Sequence, residues 1–376
     1  MSSTPVTVPP AAPPYFADLY TFKWSDLAFE LPLISSSAVA LCLVVGLLAG
    51  HPGGALVSAG GAFTVGFGAN QRIADSRLLP MLFAVFAMAS ATLIGSLLGH
   101  NGYTLILASS ASAAIYGILT VRNSGLAWVG QQASIALFVA TAFAAGPKPA
   151  FQRAGLIIAG GMLQVLITSI GLRLLPELRK NLTEIPRTLY HSLSQSVQQD
   201  RLELLHTIHN LGSVIPAPDR AVALVYATRL TLTVAIASEL YRRLGIQSGY
   251  WIPMTALLVQ KPAFFETLNR GLARVAGTLA GATLATLLAA HLHLNPWTLA
   301  ALTAFFAFLG FATNAVNYGL FSVCMTSYIV FLLSLNALPG PEIAHRRAFC
   351  TAAGAAIALL IHLDALRRHR DHPAKT

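Results

Sequence analysis

The segment Gly249–Leu288, GYWIPMTALLVQKPAFFETLNRGLARVAGTLAGATLATLL, decides the fold, and its first fourteen residues decide most. Between Gly249 and the Lys261–Pro262 pair there are too few apolar residues to cross a hydrocarbon core of about 30 Å, for which a helix needs roughly 20. The run therefore reads as a half-helix. Pro253 lies inside it and removes a backbone donor, so the sequence predicts a break or kink at that point. Broken helices are not viable against lipid, so this one belongs inside protein or beside a cavity. At the matching place in the first half, Gly53–Ala69, GGALVSAGGAFTVGFGA, is also short and is interrupted by Gly60–Gly61 and Gly68. Paired defects of this kind in two halves of a membrane chain point to a transport site, and close helix packing through the glycines is the competing reading.

The surrounding composition fits this reading. Apolar residues make up 55% of the chain and charged residues 10%, which places it with polytopic membrane proteins rather than soluble ones. The first residues, MSSTPVTVPPAAPPYFADLY, lack a basic start and an apolar stretch, so they read as a proline-rich, disordered arm over 1–26 and not as a cleaved signal. Cys42, Cys324 and Cys350 lie in apolar runs without metal-like spacing and read as small buried residues.

Apolar runs able to span are Leu31–Gly50, Met81–Gly99, Tyr103–Val121, Leu126–Ala145 and Gly155–Leu175, then Val222–Tyr241, Leu272–His291, Trp297–Thr313, Gly319–Leu338 and Phe349–Leu366. With the two short segments, this gives six helices and six. The halves are repeats in one register. GPKPAFQRAG at Gly146–Gly155 matches GPEIAHRRAF at Gly340–Phe349, so that Arg153 falls on Arg347, an offset of 347 − 153 = 194. The same offset joins Asn123 to Asn317, Gly125 to Gly319 and Gly160 to Gly354. An even number of crossings makes the repeats parallel, with a pathway natural along the axis between them.

The expected architecture is an all-α polytopic membrane protein of two parallel six-helix repeats, about 12 transmembrane segments. The repeats cover 27–175 and 221–366, joined by a cytoplasmic amphipathic connector over 176–220 and followed by a basic tail over 367–376. Leu178, Leu182, Ile185, Leu189, Leu193 and Val197 give the connector a helical stripe, with Pro186 starting a new helix or kinking one. Basic residues set the orientation. With both termini cytoplasmic, that side carries Arg72, Arg77, Arg122, Arg173, Arg179, Lys180 and Arg187, among others, and in the second half Lys261, Arg270, Arg274, Arg367, Arg368 and Arg370. The far side carries Lys148, Arg153, Arg242, Arg243, Arg346 and Arg347. The net charge of +10 is thus chiefly a topology signal, with affinity for the lipid bilayer and no call for nucleic acid.

No recognisable catalytic spacing is present: no HExxH, no Walker loop, no GxSxG and no cysteine pair at zinc spacing. The chain reads as a non-enzyme without a cofactor or a metal. His206 and His209 read as a solvated helical face, and His291 and His293 as interfacial. Glu30, Glu239 and Asp364 fall near helix ends, with Glu239 in reach of Arg243 four residues on, and Asp75 and Glu266 are the loop candidates for a proton. The stronger signal is Arg153 and Arg347 at repeat-equivalent far-side mouths, where guanidinium forks suit carboxylates. Trp128, Gln131 and Gln132 in one half, and Tyr318, Ser322, Thr326 and Tyr328 in the other, form a polar and aromatic lining. Gly46–Gly50, Gly95–Gly99 and Gly277–Gly281 are spaced for close helix packing.

The run GYWIPMTALLVQKPAFFETLNRGLARVAGTLAGA resembles the signature of the fusaric acid resistance family within the aromatic acid exporter superfamily. NYGLFSVCMTSYIVFLLSL at Asn317–Leu335 and RAFCTAAGAAIALL from Arg347 follow in the family's order, so the likeness covers about Tyr226–Leu366. The positions that carry it are Tyr250, Trp251, Pro253, Thr255, Pro262, Arg274, Gly277, Gly281, Asn317, Tyr318, Thr326 and Arg347. The resemblance implies a bacterial inner-membrane exporter of small organic anions such as aromatic carboxylates, similar in fold to plant malate-channel proteins. A passive anion channel and a non-transporting scaffold are the alternatives, and a homo-oligomer or a periplasmic adaptor is open as a partner. The connector and tail are shorter than in longer members of the family, which counts against any gating or partner contact that a larger cytoplasmic domain would supply.

Overall fold

The computed structural model describes residues 20–73, 76–180, 220–292, 294–336 and 340–371. Residues 181–219 of the connector, with His206 and His209, as well as His293, Asp75 and the last tail residues, lie outside these, as does most of the N-terminal arm. Among the described residues there are twelve α-helices and no strand. The first repeat holds α1 (Glu30–Leu48), α2 (Pro52–Gly66), α3 (Leu78–Leu98), α4 (Tyr103–Arg122), α5 (Ser124–Thr141) and α6 (Pro147–Lys180). The second holds α7 (Arg220–Leu244), α8 (Trp251–Val259), α9 (Phe264–His291), α10 (Pro296–Thr313), α11 (Tyr318–Ser334) and α12 (Gly340–Asp371).

Local chemistry starts and stops the equivalent helices alike. Asn123 and Asn317 both sit just before a helix in extended backbone, and their side-chain oxygens accept from the backbone N–H of Leu126 at 3.0 Å and of Leu320 at 2.9 Å. Each cap satisfies a helix N–H that has no intrahelical partner. At the other ends of α1 and α7 the chain turns on Gly50 and Gly245, with φ of 69° and 57°, a left-handed conformation that strains a side chain.

Among the described residues, eight helices are long and apolar enough to cross a membrane. The other four are α2, α5, α8 and α11, which are two repeat-equivalent pairs. At 1.5 Å per residue the nine residues of α8 span only about 13 Å. Pro253 does not break it. The helix begins at Trp251, so Pro253 occupies the first turn, where the missing N–H is one that no intrahelical carbonyl would have used. Nor do Gly60 and Gly61 interrupt α2, which runs through them before tightening into a 3₁₀ turn at Phe67–Asn70.

Within each repeat the helices pack in the same pairs. α1 on α2, α2 on α6, α3 on α5, α3 on α6 and α4 on α5 recur as α7 on α8, α8 on α12, α9 on α11, α9 on α12 and α10 on α11. Between repeats, α1 packs on α10 and α4 on α7. Because α10 is the counterpart of α4 and α7 of α1, these two contacts are the same contact made reciprocally, as a pseudo-twofold relation requires. Aromatic residues fill this seam: Phe63 of α2 stacks on Tyr328 of α11 with ring centres 4.0 Å apart and also meets Phe311 of α10 at 4.9 Å.

Part of the arm expected to be disordered is instead docked. Residues 20–26 lie on the turn between α10 and α11, where Lys23 N–H donates to the Val316 carbonyl at 3.0 Å and the Asn317 amide donates to the Thr21 carbonyl at 2.9 Å. Phe22 and Trp24 stack on each other at 5.5 Å within this short stretch.

Candidate anion site in the second repeat

Small residues let α8, α9, α11 and α12 approach closely. A Cβ on Gly354 of α12 would stand 2.5 Å from the Ile252 carbonyl oxygen of α8, and one on Gly281 of α9 would stand 2.5 Å from the Val323 carbonyl oxygen of α11. Neither contact survives a side chain. The equivalent of Gly354 is Gly160, whose Cβ would overlap the carbonyl oxygen of Ser58, itself the equivalent of Ile252.

This close packing buries Arg347 completely, at 0% exposure. Its guanidinium carbon lies 3.9 Å from the ring centre of Trp251 in α8, and Nε donates to the Thr326 hydroxyl of α11 at 3.3 Å. Both terminal nitrogens, Nη1 and Nη2, have no hydrogen-bond partner. Among the described residues the ion pairs are those of Glu239 with Arg242 and Arg243 and of Glu342 with Arg346, so no carboxylate balances Arg347. A buried cation left unpaired costs several kcal/mol in real proteins. A guanidinium held by one edge and one face, with both terminal nitrogens unpartnered, presents the parallel donors that suit a planar, two-oxygen anion.

The surroundings extend the same character. Tyr250 is buried with its ring centre 4.9 Å from that of Trp251, and Thr255 and Pro253 are buried along the same short helix. Gln260, at the end of α8, is fully buried with neither amide atom paired. The hydroxyls of Thr278 and Ser322 also lack partners. Buried polar groups are nearly always satisfied, and the exceptions among the described residues are concentrated on α8, α9, α11 and α12.

The sequence places Arg347 at a far-side mouth, and the structure places it in the interior. The cause is helix length: α12 starts at Gly340 rather than at Phe349, where the apolar run begins, so Arg347 is already about two turns inside. Arg153 differs from its counterpart. It is half-exposed, donates to the Phe143 carbonyl, lies over the Phe143 ring at 5.8 Å and reaches Ser96 at 3.5 Å. Gln131 and Gln132 are half-buried on α5, and Trp128 packs against Gly68 in the first repeat. Tyr328 belongs to the aromatic seam between repeats. Thus Arg347, Trp251, Tyr250, Thr255 and Thr326 come together, whereas Arg153, Gln131, Gln132 and Tyr328 lie elsewhere.

Sequence reading missed Gln260 and Thr278, and it assigned Arg274 to a cytoplasmic loop. Arg274 is 3% exposed within α9, and Arg270 lies one turn before it with its guanidinium carbon 3.6 Å from the ring centre of Tyr318. The usable signal was spacing: Arg274, Gly277 and Gly281 stand at i, i+3 and i+7 on one face of α9. His362 of α12 is another buried polar group, joined to Thr267 of α9 at 3.1 Å and to Arg229 of α7 at 2.8 Å.

Fold and site together define an all-helical, multi-pass membrane protein with a cationic centre inside its second repeat. Residues 233–361 match the family described as fusaric acid resistance protein-like, so the second repeat carries the domain that the sequence motifs resemble. Over 90 residues the chain is 36% identical to the "uncharacterized transporter YdhK" of Escherichia coli (strain K12), a match covering 24% of this chain and 13% of that protein. The Salmonella typhimurium protein of the same name is 33% identical over 90 residues. The "uncharacterized protein ORF2" of Neisseria gonorrhoeae is 30% identical over 136 residues, covering 35% of this chain and 32% of that one. The chain therefore spans only about an eighth to a third of the length of these relatives. No solved structure matches it.

Proposed function

We propose that the protein is a transporter of the bacterial inner membrane, with both termini cytoplasmic, that exports small organic anions, aromatic carboxylates first. The observation that carries this reading is Arg347: fully buried, stacked on Trp251, without a carboxylate partner and with two guanidinium nitrogens open. A carboxylate accepts both N–H groups side by side, and the Trp251 and Tyr250 rings offer apolar faces to an aromatic body. The family match over 233–361 and the transporter name of a relative support transport as the activity. The basic cytoplasmic loops would concentrate anions on the side from which they leave the cell.

Uptake of labelled 4-hydroxybenzoate into inverted vesicles, with and without a pH gradient, tests this. Arg347→Gln is the control variant. Accumulation by the wild type that is lost in the variant supports export through this site. Downhill equilibration alone makes the protein a channel, and flux unchanged in a well-folded Arg347→Gln protein removes Arg347 from the path.

A further inference from the structure

We propose a second anion-binding station at Arg270, Arg274 and Tyr318, separate from Arg347 but on the same seam, so that the second repeat holds two carboxylates at once. The proposal deepens, and rests on, the anion reading of Arg347.

Arg274 is almost wholly buried, and its Nε has no hydrogen-bond partner; the buried Nε of Arg270 has none either. The two guanidinium groups stand four residues apart on one face of α9, an arrangement in which like charges repel. Tyr318, the first residue of α11, bridges them, with its ring under Arg270 at 3.6 Å and its phenol beside Arg274. Among the described residues neither arginine has an ion pair, although Glu266 lies four residues before Arg270 on the same helix. One buried cation, Arg274, and one half-buried cation, Arg270, neither with a counter-charge among the described residues, form with a phenol O–H and an aromatic face a receptor for a carboxylate.

The spacing makes this a separate station. Gly277 packs on Ser322 and Gly281 on Thr326, so α9 and α11 advance in step. Arg347 is tied to Thr326, at the level of Gly281. Arg274 lies seven residues earlier on α9, about 10 Å along the helix. The unpartnered hydroxyls of Thr278 and Ser322 lie between the two levels. Arg274 and Tyr318 are near enough for their charges to act on Arg347, so anions held at the two levels weaken each other's hold by repulsion, as conduction through a multi-site path requires. Nothing equivalent exists in the first repeat, where Pro80 stands in place of Arg274 and Ser124 in place of Tyr318.

Equilibrium binding of radiolabelled benzoate to the purified full chain, with Arg274→Gln, Arg270→Gln and Arg347→Gln alongside, tests the proposal. The wild type is expected to bind two benzoates per chain, and Arg274→Gln and Arg347→Gln one each. Arg270→Gln is expected to weaken one of the two sites about tenfold. If Arg274→Gln does not fold, Arg274→Lys, which keeps the charge and loses the fork, is expected to weaken one site in its place. Two sites at wild-type affinity in every folded Arg274 and Arg270 variant overturn the second station. A wild type with one site, lost only in Arg347→Gln, does the same. Loss of a site in Arg274→Gln with both retained in Arg347→Gln keeps the second station and overturns the role of Arg347.

Discussion

Arg347 and Trp251 face each other from α12 and α8, the guanidinium carbon 3.9 Å from the indole ring centre. The stack fixes the plane of the guanidinium, and the Thr326 bond fixes its edge, so the free edge has one direction. Truncating one side of a buried, hydrogen-bonded charge pair costs about 2–5 kcal/mol. Arg347→Gln is therefore expected to weaken carboxylate binding by about 30-fold or more, read by equilibrium binding on the purified protein. Arg347→Lys keeps the charge without the fork and should fall between the two.

Trp251→Leu retains apolar volume but removes the ring face. A buried cation over an aromatic ring contributes roughly 0.5–2 kcal/mol, so anion affinity should fall several-fold while the protein stays folded. Binding as strong as wild type in that variant would show that Thr326 alone holds Arg347 in place.

Gly354→Ala is expected to destabilise the protein by about 1–3 kcal/mol, because the new methyl group meets the Ile252 carbonyl and neither helix can withdraw without disturbing the other. Gly160→Ala should do the same in the first repeat, against Ser58. Gly60→Ala, where nothing lies within 4 Å, should be close to neutral. Thermal unfolding in detergent compares the three.

Pro253→Ala should leave flux within about twofold of wild type. Pro253 is buried in the first turn of α8 and interrupts no hydrogen-bond ladder, so alanine restores a donor that the helix does not need. A large loss of 4-hydroxybenzoate flux would show instead that the ring itself packs against the site.

Asn123→Ala should cost about 1 kcal/mol through the lost cap of α5. Asn317→Ala should cost more, because the same side chain also donates to the Thr21 carbonyl and anchors residues 20–26. The difference between the two melting temperatures measures that anchor.

Much of the fold is legible in the sequence because the bilayer permits few solutions. Apolar runs mark the helices, and the offset of 194 is visible from several residue pairs in one register, among them Asn123 and Asn317, whose capping roles then prove identical. Helix ends are less legible where charge intervenes. α9 and α12 begin about eight or nine residues before their apolar runs, at Phe264 and Gly340; those extensions contain Arg270 and Arg347, and Arg274 lies at the very start of the run in α9. A hydropathy pattern reports contact with lipid, whereas these arginines are sheltered by protein, so their burial leaves no apolar signature. Pro253 is misleading for a related reason: proline inside an apolar run and proline in the first turn of a short helix look alike until the helix start is known.

The reciprocal contacts of α1 with α10 and of α4 with α7 give the chain the architecture of a fused dimer of half-sized subunits. Fusion frees the two copies to diverge. Both copies retain the shared frame, with the caps at Asn123 and Asn317 and the close crossings at Gly160 and Gly354, while among the described residues the second alone carries the cationic seam. The first repeat thus stands to the second as a permanently attached partner, and a substitution in the cationic seam changes one copy of the frame where a symmetric dimer would change both.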